Sequence, residues 1–60
     1  MTKQMIEQQY KVAVLDYQIA RNKDEQWGAR KRMADLERTA SVLYGCDYAD
    51  SLDELKPSTR

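Results

Sequence analysis

From Met1 to Trp27 the chain contains no glycine and no proline, the two residues that interrupt regular backbone most sharply. An uninterrupted stretch of that length is either a long helix or a strand, and the strand's strict apolar–polar alternation is not sustained anywhere. The run Val12, Ala13, Val14, Leu15 would suit a buried strand by itself. Its flanks decide otherwise, because Ile6, Tyr10, Ala13, Tyr17 and Ala20 recur at spacings of four, three, four and three, the period of a helix. Turned by 100° per residue, Leu15, Ile19, Val12, Met5, Ala20, Ala13, Ile6, Tyr17 and Tyr10 spread over an arc of roughly 220°. One neighbouring helix covers a stripe of little more than about 100°, so this arc predicts contact with two or more helices.

The first break is predicted near 21–23. Asn22, followed three residues later by Glu25, matches a capping box, in which the Asn side chain takes a free amide of the new helix and the Glu reaches back. Asp24 and Glu25 then stand in the first turn of the second helix, where the dipole favours anions. A break at Gly28 would instead put Arg30, Lys31 and Arg32 at a helix start, which the same dipole disfavours. A single rod through residue 44 ranks between these two, since Trp27 continues the heptad series Ile6, Ala13, Ala20. The second helix carries Gln26, Ala29, Met33, Leu36, Ala40 and Leu43 as a narrow seam of coiled-coil type, and Gly45 provides its stop. Beyond it, Ser51 and Glu54 repeat the capping signature, and Leu52 and Leu55, three apart, form a face that docks.

A chain of 60 residues with one cysteine and no histidine lacks an internal disulfide and the usual zinc ligands, so a partner is the remaining means of covering its apolar surface. The predicted fold is all-α: an antiparallel hairpin, about 3–21 and 24–44, with a short C-terminal helical turn at about 52–56, associating into a homodimeric helical bundle. Residues 1–56 form one domain and 57–60 a frayed tail. The expected oligomer interface is Ile6, Tyr10, Ala13, Tyr17, Ala20, Met33, Leu36, Ala40 and Leu43.

Ten basic side chains balance ten acidic ones, which argues against a dedicated nucleic-acid or membrane-surface binder. The balance is uneven, with eight basic and six acidic residues in 1–44 but two and four in 45–60. No stretch approaches the roughly 18 apolar residues of a membrane span. The polar N-terminus does not resemble a secretory leader, and with the lone thiol this predicts a cytoplasmic protein.

Chemistry is sparsely represented. Asp47, Asp50, Asp53 and Glu54 crowd the tail, but without the central glycine and ligand spacing of a calcium loop, and they read as solvated charges. Asp16 falls inside the apolar arc, so it either reaches water at a groove edge or pairs across helices with an Arg or Lys. Tyr10 and Tyr17 read as a core edge with hydroxyls in water, and Cys46, beside Asp47, as an unactivated thiol. No catalytic, cofactor or metal site is expected. Trp27, Lys31 and Arg38 share a helical face with Arg30 nearby, and these four are the candidate partner-binding residues. An i, i+4 pair between Lys31 and Asp35 is expected to blunt their attraction for phosphate.

In size and in its hairpin with a short acidic tail, the chain resembles the small helical accessory proteins of temperate, lambda-like bacteriophages. That resemblance implies an adaptor or inhibitor that acts by binding a protein. The reading is therefore a non-enzymatic accessory or regulatory protein working as a homo-oligomer with a protein partner. The alternative is a weak nucleic-acid-binding factor that uses the Trp27, Lys31 and Arg38 face.

Overall fold

A computed structural model describes residues 1–56, and the predicted frayed tail at 57–60 lies outside the described residues. Three helices follow one another: α1 spans Lys3–Ile19, α2 spans Lys23–Tyr44 and α3 spans Cys46–Ser51, with a closing 3-10 turn at Leu52–Leu55. The architecture is all-α, a long helical hairpin with a short C-terminal helix folded back across one side.

Local chemistry sets most of the boundaries. The Thr2 hydroxyl accepts from the Met5 amide at 3.1 Å and opens α1. At the hairpin bend Asn22 Oδ1 accepts from the Glu25 amide at 2.9 Å, as the capping signature predicts. The returning Glu25 carboxylate binds the Arg21 amide at 3.0 Å, one residue earlier than the standard box. It thereby holds the linker as well as the cap. α1 stops at Ile19 rather than Arg21, because Ala20 already has extended backbone, with φ −60 and ψ 136.

Gly45 ends α2 with φ 100 and ψ 163, a region open essentially to glycine alone. Its amide donates to the Ser41 carbonyl at 2.9 Å, and its own carbonyl accepts from the Ala49 amide at 3.2 Å. One residue closes α2 and opens α3. The expected C-terminal turn at 52–56 is present at Leu52–Leu55, and an unexpected helix precedes it from Cys46, because its start is made by glycine backbone rather than by a side-chain cap. Ser51 is no cap at all. It has helical backbone, and its hydroxyl donates to the Tyr48 carbonyl at 2.6 Å.

The core is formed by Ile6, Tyr10, Ala13 and Val14 of α1, Met33, Leu36 and Ala40 of α2, and Leu52 of the 3-10 turn. Tyr17, Tyr48, Ala49 and Leu55 pack around it. Leu52 and Leu55 dock as their spacing predicts. The two-neighbour prediction for α1 also holds, since α2 and the 3-10 turn both pack on it. The side that the second neighbour covers differs, however. Val14, outside the predicted arc, is buried, whereas Met5, Val12, Leu15 and Ile19, inside it, are exposed.

That rotation reassigns the expected oligomer interface. Ile6, Tyr10, Ala13, Met33, Leu36 and Ala40 are buried inside the single chain, so in this fold they are not available to another copy. Tyr17 and Ala20 are partly buried, and Leu43, expected in the seam, is half exposed. The physical reason is that α1 and α2 pack on each other, and Leu52 and Tyr48 complete that cover from within the chain.

Candidate functional site

The polar side chains most perturbed by their surroundings are committed to holding the C-terminal segment down. Tyr10 is fully buried, and its hydroxyl donates to Glu37 Oε2 at 2.6 Å instead of reaching water as expected. Lys56 Nζ lies 3.2 Å from the same Glu37 oxygen and 3.2 Å from Asp53. Burial, followed by the Glu37 hydrogen bond and charge, drives the Tyr10 hydroxyl far above the ordinary tyrosine range. For Lys56 burial acts downward, but the hydrogen bonds to Asp53 and Glu37 outweigh it and raise the ammonium group. The phenol stays neutral and the amine charged, the states that keep this chain of bonds intact.

Tyr48 performs a similar task nearer the open end of the hairpin. Its hydroxyl lies 2.9 Å from Glu7 Oε2 and 3.1 Å from the Lys3 carbonyl. Desolvation and the Glu7 carboxylate push it up to about 12. Tyr44 stacks edge-on against Tyr48 at 5.4 Å and donates to the Met1 carbonyl at 2.7 Å, and Lys3 Nζ sits 5.2 Å from both rings. The start of α1 is thus strapped to α3.

Among the described residues no group of three His, Cys, Asp or Glu side chains stands close enough to share a metal ion. Asp47, Asp50 and Glu54 are exposed, while Asp53 is paired with Lys56. Cys46 is exposed, 3.5 Å from the Ser41 hydroxyl.

Two surfaces remain uncommitted. The first is the outward side of α1, where Met5, Val12, Leu15 and Ile19 are exposed, Ile19 by 68%. It borders a groove of about 590 Å³ between α1 and α2, on the side opposite α3, lined by residues that include Val12, Gln9, Leu36 and Thr39. Asp16 and Arg32 span that side at 3.8 Å, both well exposed, so both predictions for Asp16 meet: it pairs across helices, and it does so at a groove edge. A second hollow of about 540 Å³ continues past this pair to Ile19, Gly28 and Ala29.

The second surface is the outer side of α2. Trp27 is 67% exposed, and Arg30, Lys31 and Arg38 are exposed with it, on the side of the helix facing away from Met33 and Ala40. The structure thus brings the four candidate partner-binding residues onto one solvent-facing helix. Val42, 78% exposed, extends the strip and was missed, although it lies four residues beyond Arg38. The expected Lys31–Asp35 pair does not form; among the described residues the ion pairs are Arg32–Asp16, Lys56–Glu37 and Lys56–Asp53. No described helix is long and apolar enough to cross a membrane.

No family model matches the chain, and neither a curated protein nor a solved structure matches it.

Proposed function

We propose that this chain is a small, non-catalytic accessory or regulatory protein that acts by binding other proteins and that associates with itself. The observation that carries the reading is the exposed apolar stripe Met5, Val12, Leu15, Ile19, left bare by a fold whose own core is already filled. A non-catalytic role is supported by the use of the most perturbed groups, Tyr10, Tyr48 and Lys56, as structural ties between segments. The lone unpaired thiol supports a cytoplasmic setting. The resemblance in size and helical form to accessory proteins of temperate bacteriophages belongs to the same proposal, with a protein as the target.

Trp27 with Arg30, Lys31 and Arg38 provides the surface for that target, because a large aromatic beside arginines is the composition that binding hot spots favour. Pull-down from bacterial lysate tests it: Trp27→Ala should lose the captured protein while keeping the helicity and sedimentation of the wild type. A native protein that captures nothing overturns the reading. The absence of a Lys31–Asp35 pair favours one second reading, a weak nucleic-acid contact through the same face. Three or four phosphate contacts would then make log affinity fall with log salt at a slope of about −3 on duplex DNA, lost in Lys31→Ala and Arg38→Ala.

A further inference from the structure

The bare side of α1 has a regularity beyond its hydrophobicity. Within α1, Met5, Gln8, Val12, Leu15 and Ile19 follow one another at spacings of three, four, three and four, and all five are exposed. That is the a/d pattern of a coiled-coil seam, with one polar layer, Gln8. The core residues Ile6, Tyr10, Ala13 and Val14 occupy the other side of the same helix. α1 is therefore amphipathic twice, once toward its own chain and once outward.

Charge beside the seam selects the occupant and its direction. With Met5, Val12 and Ile19 as a positions, Lys11 takes a g position and Asp16 the e position five residues later. In a parallel pair, g of one helix faces the following e of the other, so Lys11 meets Asp16 of the second copy on both sides of the seam. Gln8 then faces Gln8, and two amides satisfy each other. An antiparallel pair that set Met5 opposite Leu15 would place Lys11 against its own copy and bury Gln8 against Val12. Like charge and an unpaired amide both disfavour it.

We infer that α1 is a parallel homodimerisation helix, joining two copies of this chain through Met5, Gln8, Val12, Leu15 and Ile19, with Lys11 paired to Asp16 of the second copy. This rests on the self-association proposed above and specifies its geometry. Asp16 is half exposed and held to Arg32 at only 3.8 Å, which leaves a carboxylate oxygen free for a second cation. The Trp27 strip of α2 lies outside the seam, so dimerisation leaves it open to a target.

The test uses the full chain with Cys46→Ser, so that an introduced thiol is the only one. Gln8→Cys should form a symmetric disulfide dimer under mild oxidation, whereas Lys31→Cys, on the outer side of α2, should not. In sedimentation, Leu15→Glu should give a helical monomer, since the side chain it replaces is exposed within the chain. Lys11→Glu should weaken the dimer roughly tenfold, and Lys11→Glu with Asp16→Lys should recover it. A dimer that cross-links through Lys31→Cys but not through Gln8→Cys overturns this seam and leaves self-association standing. A wild-type protein that sediments as a monomer at micromolar concentration overturns both, while capture of a target through Trp27 is judged separately by the pull-down.

Discussion

Tyr10 does more for the C-terminal segment than its place in an apolar arc implies. Buried to the ring's end, it still needs an acceptor for its hydroxyl, and Glu37 provides one while holding Lys56 through the same carboxylate oxygen. Tyr10→Phe should therefore cost about 1–2 kcal/mol in urea unfolding, because it removes a charge-assisted bond and leaves the ring packing intact. The same tyrosines set an alkaline limit. Tyr48 has its hydroxyl raised from 10.0 to about 12, and that of Tyr10 is raised further, so the folded state prefers both neutral. Their contribution is complete below pH 10, the unfolded value, and is lost as pH rises through the folded values. Lys56, also raised, loses its contribution in the same direction. Helicity followed against pH should hold to about 10 and fall above it, with tyrosinate absorbance rising in step; Tyr48→Phe should flatten the part between 10 and 12.

The elements depend on two glycines with opposite requirements. Gly45 has φ 100, and nothing lies within 4 Å of a Cβ built there, so Gly45→Ala meets no clash and its cost is wholly backbone strain, about 1–3 kcal/mol. Gly28 sits inside α2 with equally open space around it. Gly28→Ala should instead stabilise by about 0.5–1 kcal/mol, since it removes the entropy of a flexible residue from a helix interior. Thermal melts of the two variants should move in opposite directions; two shifts of the same sign would contradict the conformations assigned here. The 3-10 turn hangs on Leu52, only 1% exposed, and Leu52→Ala should cost about 2–5 kcal/mol. In that variant hydrogen exchange should speed up first in α3 and the turn, and later in α1 and α2.

At the scale of the whole molecule, the chain solves its size problem in two stages. α3 and the 3-10 turn fold back over one side of the hairpin and complete a small core, and the opposite side stays open along α1. If a second copy closes that side, association is linked to folding, and the melting temperature should rise with protein concentration. Leu15→Glu should abolish the dependence without lowering the melt of the dilute protein, because Leu15 is already 56% exposed within one chain. A concentration-independent wild-type melt would mean that the apolar stripe of α1 contributes nothing to stability.

What the amino-acid sequence determined by itself is what local interactions decide. Helical period, the Asn22–Glu25 cap, the Gly45 stop and the docking pair Leu52 and Leu55 all act within a few residues of one another, and all are legible in sequence spacing. The exposure of Trp27, Arg30, Lys31 and Arg38 was legible in the same way, as the side of α2 away from its seam. That the face of α1 holding Ile6, Tyr10 and Ala13 would be covered from within one chain was not. That cover depends on Leu52, Tyr48 and Lys56, nearly thirty residues or more beyond the end of α1: Leu52 joins the core, Tyr48 reaches Glu7 and Lys56 reaches Glu37 only once Gly45 has turned α3 back on the hairpin. Helical periodicity records that a face is apolar and carries no information about which distant segment will cover it. Only tertiary packing, by covering Val14 and leaving Val12 and Leu15 in solvent, separated the interior of this chain from its apolar surface.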